Sequence, residues 1–282
     1  MAKLIDTSIG HFKSKTGNVG DDLNLWLWPK ILKNYKFSIN STTVILGVGS
    51  ILDSNFINNN KINSFSKKIV IGSGARGSAG IPVLDDSWEI VFVRGPKTVS
   101  AISNQRSVSC ITDPAYLISD FFKKSKVAGK IGLIPYFLSN EYMWQNIANS
   151  CGFTLISPRN NLEVFIKELS ECQFVITEAM HGAIFADALR IPWIPYSSFS
   201  GFHEGDTHSF KWADWTESMN IECSELTFPI MWDAESKGIK TWVKSKYIAQ
   251  SLSKLTISSC FLSDDLIYKD KIENLRYTIS KL

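Results

Sequence analysis

The chain reads as an α/β protein made of two Rossmann-like lobes facing a cleft. Three observations predict this. Short apolar runs end repeatedly in glycine or aspartate, helical stretches separate them, and the alternation restarts after a basic interruption near the middle of the 282 residues. Runs of that kind are what parallel strands with ligand loops at one sheet edge look like. The length is generous for one core and suits two lobes. With 44% hydrophobic and 20% charged residues, the composition is ordinary for a globular protein.

In chain order, residues 21–33 predict an early helix, shortened or kinked by Pro29. Residues 44–49, 68–74 and 89–95 each predict a buried strand meeting a glycine turn, and residues 108–114 a fourth strand ending at Asp113-Pro114. The lysine-rich stretch 123–130 reads as a linker. Beyond it, strands are expected at 131–135, 153–157, 174–176 and 191–195, with helices at 142–150, 162–172 and from about 178 onward. Residues 239–255 repeat apolar side chains at helical spacing, with lysines 237, 240, 244, 246 and 254 at other positions. Such a helix can lie on an anionic bilayer, but packing one face on its own domain is the expected arrangement. The domain expectation is therefore lobes at 1–125 and 126–232, with a C-terminal helical segment at 233–282 packing on them.

The bulk properties exclude several classes. A net charge of +3, without a dense basic run interleaved with aromatics, speaks against nucleic acid. Five cysteines with no C-x-x-C suit a reducing cytoplasm rather than a disulfide framework or structural zinc. His203, Glu204, Asp206 and His208 could in principle ligate a metal but read as a polar loop. The N-terminus lacks the apolar core of a signal peptide, and no apolar run approaches the ~20 residues of a spanning helix. The expectation is a cytoplasmic protein. Nine tryptophans are many; some could stack on sugars or sit at a membrane surface, although most tryptophans are core.

Three motifs carry chemistry. The first is the apolar strand at 174–176 running into Thr177-Glu178-Ala179-Met180-His181-Gly182, which puts Glu178 and His181 at a strand-to-helix junction where ligands collect. The second is Gly17-Asn18-Val19-Gly20-Asp21-Asp22, a glycine-bearing loop before a helix. One aspartate can cap that helix, which leaves a spare carboxylate to act as a base. In the third, Arg76 and Arg94 stand just past strand ends in glycine turns, where a guanidinium can grip a phosphate or carboxylate; Lys97 follows Arg94 closely. A surface salt bridge is the competing reading for each of these cations.

Taken together, Asn18–Leu23, Gly47–Ser50, Val93–Thr98, Asp113–Ala115, Thr177–Ile184 and Ala186–Pro192 resemble the polysaccharide pyruvyl transferase family, in order over roughly residues 11–200. The stretch 210–215, with Trp212, also resembles the branch that pyruvylates exopolysaccharides of the succinoglycan and xanthan type; a packed tryptophan turn is its alternative. The resemblance implies a glycosyltransferase-B-like fold. It also implies transfer of a pyruvyl group from phosphoenolpyruvate to two hydroxyls of a sugar, giving a cyclic ketal and phosphate, without metal or cofactor. On that basis His181 and Glu178 are expected to supply the acid and Asp21 or Asp22 the base. Arg94, Arg76, Lys97 and Gly182 would hold the donor, and Asn18, Gly20 and Trp212 the acceptor. One position departs from the family: many members carry a basic residue two places before the histidine, where this chain has Ala179. A lipid-linked acceptor at the inner face of the cytoplasmic membrane would suit the basic C-terminal helix. Two rivals stand beside this reading, a sugar-nucleotide glycosyltransferase of the same fold and a non-catalytic glycan-binding relative.

Overall fold

Two five-stranded parallel sheets organise the protein, and each has its first strand flanked by its second and third. The computed structural model describes residues 5–77, 80–126, 129–231 and 238–282. Residues 1–4, Val127 and Ala128 of the expected linker, Lys237, and the boundary expected between 232 and 233 lie outside the described residues. The first sheet contains β1 (Ile5–Gly10), β2 (Tyr35–Phe37), β3 (Thr43–Leu46), β4 (Lys67–Ile71) and β5 (Trp88–Phe92), in the order β2-β1-β3-β4-β5. The second contains β6 (Lys130–Ile134), β7 (Thr154–Leu155), β8 (Cys172–Thr177), β9 (Trp193–Ser197) and β10 (Leu226–Thr227), in the order β10-β9-β8-β6-β7. Read from its own first strand, the second sheet repeats the order of the first. The lobes are Rossmann-like, as the alternation predicts.

An open parallel sheet of this order changes direction between its first and third strands, and loops diverge there to leave a crevice. Those points fall at β1/β3 in one lobe and β6/β8 in the other. Helix α1 (Val19–Ile31) follows β1, and α6 (Met180–Ala188) follows β8. The core is continuous between the lobes: Leu23 and Leu27 of α1 share one buried cluster with Phe165 of α5 (Leu162–Ser170) and Ile184 and Phe185 of α6. Lobes joined this way hold the facing loops in register.

Several elements differ from expectation. Residues 108–114 do not form a strand; a single bridge joins Val93 to Cys110, and a 3-10 helix begins at Pro114. Proline has no N–H for a ladder, and Asp113 instead accepts the Ala115 N–H at 3.0 Å to start that turn. Residues 203–208 are not a loop: they span α7 (Ser200–Glu204) and α8 (Asp206–Ser218), separated at Gly205 with φ of 53°. The stretch 210–215 is likewise helical, within α8. Helix α9 (Ile239–Leu252) ends before Leu255, and α10 (Asp265–Ile279) returns to the first lobe, where Arg276 pairs with Asp120 beside the 3-10 helix.

Candidate active site

A cleft of about 730 Å³ lies where the two switch points face each other. Its first-lobe wall is the loop after β1 (residues 12–18), the start of α1, the turn after β3 (residues 49–51) and Arg76 after β4. The second-lobe wall is Tyr136–Leu138 after β6, Ala179–His181 after β8, and His203, Glu204, Thr207 and Lys211 from α7 and α8. Every one of these segments follows the carboxyl end of a strand or the helix beyond it.

Asp21 and Asp22 divide the two tasks open to them. Asp22 caps: its Oδ2 accepts the Asn18 N–H at 3.2 Å, while Asn18 Oδ1 accepts the Gly20 N–H at 3.3 Å. Asp21 faces the cleft, and Asn18 Nδ2 donates to its Oδ2 at 2.5 Å. Its place is fixed from behind by buried Asn24, whose Nδ2 donates to the Asp21 carbonyl and to Val48 O, both at 2.9 Å. Asn24 Oδ1 accepts from Val48 N and from Trp28 Nε1, each at 2.8 Å, so all its polar capacity is used. Gly49, at φ of 118°, leaves room for the carboxylate: a Cβ there would stand 3.0 Å from Asp21 Oδ1. Burial pushes the Asp21 pKa up from 3.8 to about 7, with Asp22 and Glu204 adding to the rise and Lys211 and Arg76 opposing it. A carboxyl group poised there can give or take a proton at neutral pH.

His181 occupies the first turn of α6. A Cβ on Gly20 would fall 2.0 Å from His181 Nδ1, so the α1 backbone lies against the imidazole and any larger residue must displace it. Nε2 turns inward, 3.8 Å from Asp113 Oδ2, and both atoms are buried without a hydrogen-bond partner among the described residues. Burial, Arg94 and Lys211 hold the His181 pKa down to about 3. Burial pushes Asp113 up to about 6 against the pull of Arg94. The ring is therefore neutral at pH 7.

Glu178 does not share a helix face with His181, because α6 starts only at Met180 with Ala179 as its cap. Its Oε1 accepts the N–H groups of Ser198, Phe199 and Ser200 at 2.8, 2.6 and 2.8 Å, and its Oε2 that of Tyr136 at 3.2 Å. Burial raises its pKa although these N–H groups favour the charge. The residue clamps the loops after β6 and β9, and it does not line the cleft. Arg94 is fully buried: Nε donates to Asp214 Oδ2 at 2.9 Å and Nη1 to Ser50 Oγ at 3.0 Å. Asp214 also accepts from Thr98 N and Thr98 Oγ1, both at 2.8 Å, and so caps α3 (Pro96–Ile102) from α8. Trp212 packs among Trp193 and Trp215 rather than facing the cleft. Lys97 pairs with Glu217 at 2.9 Å on the outer surface. Gly182 lies under the strand end, where a Cβ would meet Thr177 Oγ1 at 2.4 Å.

Comparison with known proteins bears on this arrangement. The family model described as polysaccharide pyruvyl transferase matches residues 9–198. The chain belongs to that family. It is also 32% identical over 239 residues to the succinoglycan biosynthesis protein ExoV of Rhizobium meliloti (strain 1021), covering 82% of this chain and 72% of the relative.

The family match contains Asp21, Arg76, Asp113 and His181 but stops short of α7 and α8. Those helices complete the cleft with His203 and Glu204, weighed in sequence only as metal ligands, and with Thr207 and Lys211, to which the motifs gave no role. Lys211 pairs with Glu204, whose Oε1 accepts the Tyr136 hydroxyl at 3.1 Å. Burial would raise Glu204, but Lys211 beside it holds it below the ordinary glutamate value. Lys211 lies inside the 210–215 stretch that the sequence marked for Trp212, and the fold brings the lysine rather than the tryptophan to the cleft. Lys13, Lys15 and Arg76 also line the cleft, and they form no hydrogen bond or ion pair with any described residue.

Proposed function

We propose that this protein transfers a pyruvyl group from phosphoenolpyruvate to two hydroxyls of one sugar of a bacterial exopolysaccharide or its lipid-linked precursor, forming a cyclic ketal and releasing phosphate. Family membership supports the transfer, and the similarity to a protein of succinoglycan biosynthesis supports the acceptor class. The observation that carries the chemistry is the pairing, across one cleft, of a carboxyl group titrating near 7 with a neutral histidine backed by an aspartate.

The donor carries a carboxylate and a phosphate, and Arg76, Lys13 and Lys15 are the free cations that would meet them. They supply the charge that a basic residue at Ala179 provides in many relatives. Asp21 would protonate the donor's methylene carbon, making the neighbouring carbon an oxocarbenium-like electrophile. The first hydroxyl attacks that carbon, and its proton passes to neutral His181, with Asp113 behind the ring to stabilise the imidazolium. The second hydroxyl then displaces phosphate. One hydroxyl proton replaces the one given to the methylene carbon and the other leaves with phosphate, so the sum is balanced. This assignment reverses the acid and base expected from sequence, because burial raises Asp21 and lowers His181. It also removes Glu178, Arg94 and Trp212 from direct contact with substrate and makes them supports.

Binding distinguishes this reading from a sugar-nucleotide glycosyltransferase. Titration calorimetry should give saturable binding of phosphoenolpyruvate, weakened in Arg76→Ala, and no binding of UDP- or GDP-sugars. Tight nucleotide-sugar binding with none of phosphoenolpyruvate would overturn the proposal.

A further inference from the structure

Helix α9 carries two apolar faces where a helix packed on its own domain needs one. Thr241, Ile248 and Leu252 are buried against the second lobe. On the opposite side Ile239, Trp242, Val243 and Tyr247 follow i, i+3, i+4 and i+8 spacing and are 83%, 62%, 53% and 54% exposed. Tyr142, in the first turn of α4 (Glu141–Cys151), joins them across a groove and is 73% exposed. Scattered exposed apolar residues need no explanation, but a contiguous aromatic and aliphatic face does. The charge along α9 is of one sign: residues 239–254 contain lysines 240, 244, 246 and 254 and no acidic residue, while Glu141 beside Tyr142 pairs with Arg159 at 3.4 Å. Lys240, Lys246 and Lys254 are exposed, and Lys244 donates to Ile230 O at 3.0 Å. Among the described residues no helix is long and apolar enough to cross a membrane.

We infer that the α9–α4 face seats this protein on an anionic lipid surface. On α9, an apolar stripe of tryptophan, tyrosine, valine and isoleucine whose only charged neighbours along the helix are lysines is the pattern of a helix lying in the plane of a headgroup region: the apolar groups enter the acyl boundary and the cations meet phosphates. A protein partner with a buried interface would not require the uniform positive sign. The face is also joined to the cleft by a short stretch of chain. Tyr136–Leu138 line the cleft, and the chain turns at Asn140, the cap of α4, directly into Tyr142 on the docking face. A saccharide carried on a lipid would therefore arrive at the cleft mouth while its tail stayed in the bilayer. The lipid binding stands independently of the donor chemistry; only the delivery of acceptor rests on the proposed function.

Co-sedimentation tests this, using phosphatidylcholine vesicles with and without phosphatidylglycerol. We expect binding to the anionic vesicles that falls steeply as ionic strength rises from about 0.1 M to about 1 M, where the screening length shrinks to about 3 Å. The Ile239→Ser/Trp242→Ser variant should bind on the order of tenfold more weakly, since two side chains no longer enter the boundary. Lys240→Gln/Lys246→Gln should bind more weakly and lose most of the salt dependence. All these side chains are exposed, so circular dichroism and melting should match the parent protein. Absence of binding to anionic vesicles, or equal binding by parent and variants, would overturn the inference. So would conversion of a dimer to a monomer in Ile239→Ser/Trp242→Ser without change in lipid binding, which would make the face a self-association surface. These readouts need neither donor nor acceptor, so their failure is separate from any failure of the transfer reaction.

Discussion

His181 and Gly20 come from opposite lobes and touch: the imidazole lies where a Cβ on Gly20 would be, 2.0 Å from Nδ1. Closing the two lobes on each other therefore sets the position of the ring. Gly20→Ala should fold, because the flanking helix tolerates alanine, but it must displace the imidazole or part the lobes. An error of about 1 Å in a catalytic group costs on the order of a hundredfold in turnover. We expect kcat to drop by that order with circular dichroism unchanged. Near-normal kcat would show that the ring position does not matter.

The Asp113 carboxylate behind His181 predicts a loss of rate with no shift of the alkaline limb. Asp113→Asn removes the charge facing Nε2 at 3.8 Å and leaves the shape. The alkaline limb of the rate profile, set by Asp21, should stay near 7, whereas kcat falls because the imidazolium loses its counter-charge. A variant with parent-like kcat would mean that Asp113 serves the fold alone.

Stability should depend on pH through Asp21 in a definite direction. Its folded pKa of about 7 exceeds the ordinary 3.8, so between those values the folded protein holds a proton that the unfolded chain has released. Stability from this group is complete below pH 3.8 and is lost as pH rises through 7. His181 acts in the opposite sense: with its pKa held down to about 3, its contribution is present above 6.5 and is lost as pH falls through 3. Asp21→Asn should accordingly gain roughly 1–3 kcal/mol at pH about 8 and little at pH about 4. Urea titrations at the two values measure this; equal effects at both would contradict the burial of a titrating carboxyl.

Arginine substitutions should separate structure from substrate. Arg94→Ala leaves Asp214 buried without its cation, a change that typically costs about 3–5 kcal/mol. Arg76→Ala breaks no hydrogen bond or ion pair among the described residues, and it should leave melting unchanged while raising KM for phosphoenolpyruvate. Lys97→Ala, which removes only an exposed pair with Glu217, should alter neither. Melting curves beside steady-state kinetics distinguish the three. An unchanged KM in Arg76→Ala would remove it from the donor site.

Much of this architecture was legible from apolar runs alone, since β3, β4, β5, β6 and β8 each announce themselves by consecutive aliphatic residues and β9 by its Trp193-Ile194 pair. Strand β1 was not. Ile-Asp-Thr-Ser-Ile-Gly has little apolar content, yet it lies inside the sheet between β2 and β3 because its small residues allow close approach; a Cβ on Gly10 would stand 2.5 Å from Leu46. The motif segments marked the right strand ends, because ligand loops need glycine and acid wherever the sheet opens. They did not reveal which way a side chain points. In sequence Glu178 reads as a catalytic acid and Arg94 as a ligand of the anionic donor, but the fold turns both inward as clamps. Lys211 and Tyr136 enter the cleft from segments far apart in the chain, a convergence that no local spacing encodes.

The most direct test of the account is transfer itself. Purified protein would be incubated with phosphoenolpyruvate and an oligosaccharide repeating unit stripped of its pyruvyl groups, alongside simple glycosides with both hydroxyls free or one methylated. We predict stoichiometric phosphate release with a product heavier by one carboxyethylidene unit. The product should be absent when one hydroxyl is methylated, and turnover should be lost in Asp21→Asn. Sugar transfer from a nucleotide donor with phosphoenolpyruvate left intact would contradict the central claim.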